Sequence, residues 1–211
     1  MLAGRCATVC VAALLAGCGD SPAAFPVLRA APAAYLLTVD RLGAPGFSVD
    51  TAPHGEVVTD IARGDPVEAA RLTAAGFTSA SAEDFLRAGS AIAVVNGPVQ
   101  IVDAVEEFAT AGGAASVYGS DVAALDAVAG ARPLPTGALG DSAHATTRLA
   151  STADGVQLIQ ITVEWRVADL LNILMVRGRD GGTRAGDALV LAHRQTSAEL
   201  GPAPPTPPAV S

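Results

Sequence analysis

The run VQLIQITVEWRV, Val156 to Val167, decides the architecture. Ile159, Ile161, Val163, Trp165 and Val167 alternate with Gln160, Thr162, Glu164 and Arg166, a period of two that belongs to a strand with one apolar and one polar face. A turn near Ala168-Asp169 returns the chain into LLNILMVRGR (Leu170 to Arg179), apolar on both faces and therefore central in a sheet. Upstream, DSAHATTRL (Asp141 to Leu149) is separated from the first run by ASTADG, which predicts a hairpin. SAIAVV (Ser90 to Val95) and VQIVDAVEEF (Val99 to Phe108) flank Asn96-Gly97, a second hairpin signal. About five antiparallel strands follow from these segments.

Helices fill the remainder. LLTVDRLGAPGFSVD (Leu36 to Asp50) holds a helical turn ended by Gly43 and Pro45. Asp65 followed by Pro66 reads as an N-cap and first helical position, opening a helix to about Ala75. Ser81 with Asp84 resembles a capping box and predicts a short helix over Glu83 to Arg87. Gly112 to Gly130 sets Tyr118, Val122, Leu125 and Ala129 on one helical face, and Arg184 to Leu200 closes the domain. The expected fold is α+β: a single antiparallel sheet of about five strands with helices packed on one face.

The front of the chain reads as an export signal. Arg5 precedes a nine-residue apolar stretch, Ala7 to Leu15, too short to span a bilayer, and Leu15-Ala16-Gly17-Cys18 resembles a bacterial lipobox. Residues 1–17 are thus expected to be removed and Cys18 lipidated, anchoring the protein at the extracytoplasmic face of the cell membrane. Residues 18–34 form a Pro/Ala-rich tether, 35–200 the domain, and 201–211 a proline-rich tail without a fold. All three cysteines (Cys6, Cys10, Cys18) fall in or at the end of the signal, so the mature chain has no disulfide and no thiol nucleophile.

Half of the residues are hydrophobic, which fits a globular domain, and the formal charge of −8 argues against nucleic acid and anionic surfaces. All 13 basic residues are arginine, so phosphate loops and Schiff-base chemistry that need lysine are excluded. His54, His144 and His193 lie far apart, without the close pair that announces zinc, and no cofactor is implied. GDSAH (Gly140 to His144) is superficially like the nucleophile block of GDS-type esterases, but the following residue, its position and the missing Asp-x-x-His do not fit. The Gly-rich VRGRDGGTRAG (Val176 to Gly186) reads as a loop that stops a strand and starts a helix. His144, Thr146 and Arg148 can lie alongside Gln160, Thr162, Glu164 and Arg166 on the polar hairpin face. His144, Arg148, Glu164 and Arg166 are the candidate ligand contacts if that face lines a cleft, although a solvated outer face is the favoured reading.

The order VDAVEEFATAGGAASVY, LGDSAHATTR, TVEWRVADLLNILMVRGR and DALVLAHRQ resembles a group of secreted actinobacterial lipoproteins. In layout it is similar to the extracytoplasmic sensor domains of mycobacterial receptor kinases. That resemblance implies a non-enzymatic module with a cleft between sheet and helices, binding a small ligand or an envelope protein. Carriage of a lipid or other apolar molecule is the alternative, and an envelope hydrolase built on GDSAH the weaker one.

Overall fold

The computed structural model describes residues 30–87, 96–151 and 155–201. One antiparallel sheet organises them, with seven strands in the order β1-β2-β3-β7-β6-β5-β4. These are β1 (Phe47–Glu56), β2 (Phe77–Arg87), β3 (Pro98–Phe108), β4 (Arg132–Leu134), β5 (Ser142–Ser151), β6 (Gln157–Val167) and β7 (Leu170–Arg179). The β5–β6–β7 meander forms as the alternation predicts, and β7 is the middle strand of the sheet.

The count differs from about five because three strands carry weak local signals. β1 contains Pro53 and Gly55 and is exposed along almost its whole length, so it shows no apolar alternation. β4 is a three-residue edge strand inside a Pro-containing loop. β2 covers the segment expected to be a helix at Glu83–Arg87. Pairing with β1 on one side and β3 on the other overrides the cap-like Ser81 and Asp84, and Ser81, Glu83 and Phe85 turn inward together. The strand proposed at Ser90–Val95 lies outside the described residues, as do the signal, Cys18 and the proline-rich tail beyond Gly201.

Among the described residues five α-helices accompany the sheet: α1 (Val39–Leu42), α2 (Val58–Ile61), α3 (Pro66–Ala74), α4 (Ala111–Ala127) and α5 (Ala185–Leu200). Asp65 caps α3 by accepting from Val67 N–H at 2.8 Å, with Pro66 at the first helical position. α1 ends at Gly43, which takes the left-handed conformation (φ 68°). A 3-10 turn at Pro32–Ala34, inside the compositional tether, precedes α1, and its Pro32 is buried. Among the described residues no helix is long and apolar enough to cross a membrane.

The helices occupy both faces, which corrects the expectation of one. The larger core joins Ile161, Val163, Trp165 and Val167 to Leu37 and to Ala188, Leu191 and Ala192 of α5. The smaller core is on the opposite face, where Leu171 and Phe108 pack on Leu72 of α3 and on Ala114 and Val117 of α4. Leu170, Leu174 and Val176 of β7 serve the larger core and Leu171 and Ile173 the smaller one, which is why the strand is apolar on both faces over most of its length.

Candidate functional site: a cleft on the α4 face of the sheet

Strand register fixes what the α4 face presents. Reading across from β3 through β7 and β6 to β5, one row is Gln100, Arg177, Gln160 and Arg148. The next is Val102, Met175, Thr162 and Thr146, followed by Ala104, Ile173, Glu164 and His144, and then by Glu106, Leu171, Arg166 and Ser142. Small and apolar residues therefore fill the middle, with polar groups around them.

α4 and the α2 region stand on this face with a space between them. The resulting cleft holds about 390 Å³, with Ala104, Ile173 and Met175 in its floor, Leu125 of α4 at one wall, and Glu106 and Glu164 reaching into it. The opposite rim carries Glu56, Asp60 and Arg63. A hollow of about 480 Å³ outside α5 is nearly flat, and another of that size beside Arg132 and Leu149 contains no buried titratable side chain.

The walls are held by specific contacts. Arg71 of α3 donates from Nη2 to Asp121 Oδ1 (2.8 Å) and from Nη1 to the Val117 carbonyl (3.2 Å), and pairs with Glu68, binding α3 to α4. Thr110 caps α4 by accepting from Gly113 N–H at 3.0 Å. Gly113 is required for close approach, since a Cβ there would run into the carbonyl oxygen of Ala75.

Glu106 and Glu164 are each only 5% exposed, and the Oε2 atom of each has no hydrogen-bond partner. Burial pushes Glu164 up to about 8, with the Asp121 and Glu106 carboxylates adding to the rise and Arg71 opposing it. Burial likewise pushes Glu106 up to about 8, with Asp121 adding and Arg71 opposing. Both are carboxyls that keep their protons near neutrality.

The sequence candidates all lie on this face, in differing roles. Glu164 enters the cleft, and its burial corrects the expectation of a solvated surface. His144, directly across from it in the register, turns to α4 and places Nε2 2.9 Å from Asp126 Oδ1. Arg148 donates from Nη2 to Gln160 Oε1 at 3.0 Å, an oxygen that also accepts from Arg177 Nε. Arg166 is engaged structurally, donating to Ser142 Oγ at 3.2 Å and to the Ala111 and Ala168 carbonyls. The hydrolase arrangement does not form: Ser142 meets Arg166, His144 meets Asp126, and among the described residues no hydrogen bond joins the two. Nor do those residues include a group of three or more His, Cys, Asp or Glu placed to hold a metal ion.

Glu106, Asp121 and Arg71 escaped the sequence reading. Glu106 had a signal, an acid beside Val102, Ala104 and Phe108 on one face of β3, whereas the Arg71–Asp121 pair depends on how two helices meet.

The architecture has a counterpart among solved structures. The extracellular domain of PknH from Mycobacterium tuberculosis superimposes with a TM-score of 0.56 at 12% identity, covering 80% of this chain and 94% of that one. The two share a fold. No family model matches the chain, and no curated protein matches it.

Proposed function

We propose that the protein is a lipid-anchored extracytoplasmic module that binds a small polar ligand in the α4-face cleft and performs no chemistry on it. The observation that carries this reading is the pair of buried carboxyls, Glu106 and Glu164, which line the cleft and each keep an Oε2 atom without a hydrogen-bond partner. Buried polar groups are rarely left without partners unless a ligand or solvent supplies them. The shared fold with a receptor's extracellular domain and the Leu15-Ala16-Gly17-Cys18 box support a sensor-like lipoprotein outside the membrane. Carriage of a wholly apolar molecule fits less well, because it would bury these carboxyls against hydrocarbon.

Native mass spectrometry of the chain purified from its own host tests the binding reading. The expected result is a bound small molecule that is lost in Ala104→Phe, which fills the cleft floor. Parent protein that appears only at its unliganded mass, or a bound molecule that the variant retains, would sink it. For the anchor, Cys18→Ala should release the protein from the membrane fraction, and unchanged membrane retention would exclude lipidation.

A further inference from the structure

We propose that the ligand of this cleft is a slim organic cation, an ammonium or guanidinium compound with a short apolar body, held by Glu106 and Glu164. The proposal rests on the ligand-binding reading above and adds the ligand's charge. Its basis is an imbalance in how charges around the cleft are paired.

On α3 and α4, Arg71 is committed to Glu68 and Asp121. On β6, Arg166 is committed to Ser142 and two carbonyls and stands 3.9 Å from Asp141. On β5, His144 is committed to Asp126. Arg148 and Arg177 share Gln160, in the register row two beyond that of Glu164. β1 and α2 contribute Glu56, 3.8 Å from His54 Nε2, and Asp60 to the rim, and the exposed Arg63 also lines it. No ion pair among the described residues engages Glu106 or Glu164. The two carboxyls therefore line the cleft without an ion-pair partner, among the rim acids Glu56 and Asp60 and the single rim cation Arg63.

An anion would meet the rim carboxylates Glu56 and Asp60 unfavourably and would oppose ionisation of Glu106 and Glu164, and a neutral compound would leave those two as buried acids. A cation supplies both missing elements, a positive charge and N–H donors for the free Oε2 atoms. The floor of Ala104, Ile173 and Met175 takes its apolar portion. In the empty cleft the carboxyls are protonated near neutral pH. Entry of the cation displaces those protons to solvent, one for each carboxyl that ionises, so binding and deprotonation are linked.

Calorimetry on the intact mature chain tests this with three probes of similar length and different charge: 1,5-diaminopentane, 1,5-pentanediol and glutarate. The diamine should bind in preference to the others and release protons. Its affinity should rise about tenfold per pH unit between pH 6 and 8 for each carboxyl that must ionise, because the diamine stays charged throughout. Glu106→Gln and Glu164→Gln preserve shape, and each should weaken diamine binding at least tenfold and reduce the pH dependence, with circular dichroism reporting an unchanged fold. Equal or better binding of the diol or glutarate overturns the proposal, as does diamine binding indifferent to both substitutions or absent at millimolar concentration. Ala104→Phe separates the two levels. If the diol or glutarate binds as well as the diamine and Ala104→Phe abolishes that binding, the cation assignment fails while the cleft stands. If it leaves all measured binding unchanged, both fail.

Discussion

Trp165 and Glu164 are neighbours on β6 that point through opposite faces of the sheet. Trp165 is fully buried against the α5 helix layer, as its place in the alternation implies. Truncation to Ala removes the largest side chain of that core and leaves a cavity, so Trp165→Ala should lower the unfolding free energy by about 3–5 kcal/mol. A denaturant midpoint that did not move would place the ring outside the core. Glu164 was legible as facing away from Trp165, yet its burial was not. Alternation assigns a side chain to a face but is silent on what packs above that face. The covering element here is α4, whose docking depends on Arg71 and Gly113, residues far away in the chain.

Elements differ in how much of their context they carry in their own sequence. β6 and β7 are central, and their inner residues had to be apolar, so periodicity alone located them. β2 holds buried Ser81 and Glu83, and its cap-like spacing imitates a helix start, so the ladder with β1 and β3 had to outweigh the local preference. β1 is an edge strand nearly all exposed and left no apolar trace. For α4, the helix itself was readable and its site of attachment was not. That attachment is testable at Gly113, where the helix start meets the Ala75 carbonyl. Gly113→Ala should destabilise the domain by about 1–3 kcal/mol through overpacking, even though alanine is the better helix former. For comparison, Thr110→Ala should cost about 1 kcal/mol through loss of the cap. Calorimetric melting of both variants checks the order, and a stabilised Gly113→Ala would show that the helix is free to shift.

At the scale of the molecule, buried carboxyls govern how stability responds to pH; burial raises the pKa of Glu83 and, further, of four others. Besides Glu106 and Glu164, the α5 face buries Asp103, whose Oδ2 accepts from Leu37 N–H at 2.7 Å, and Glu199, whose two oxygens have no partner. Burial pushes Asp103 up to about 7 against the opposing Leu37 N–H and Gln195 hydrogen bonds, with Glu83 adding a little, and pushes Glu199 up to about 8 with Asp103 adding. In the unfolded chain these groups ionise in the ordinary carboxylate range near 4. Between that range and about 8 the folded state holds protons that the unfolded state has released. Stability contributed by these groups is therefore fully present below about pH 4 and is lost as pH rises through 7 and 8. The formal charge of −8 acts in the same direction, since self-repulsion grows as more carboxyls ionise. The melting temperature of the unliganded protein should thus fall continuously from pH 5 to pH 9. Replacing Glu106 and Glu164 together with Gln should flatten a substantial part of that slope, because amides bury without titrating. A curve that is level or rises across this range would show that the four carboxyls are ionised in the fold. Diamine in the cleft should act in the opposite sense, its stabilisation growing toward pH 9 as it captures carboxylates that the empty protein can bury only as acids.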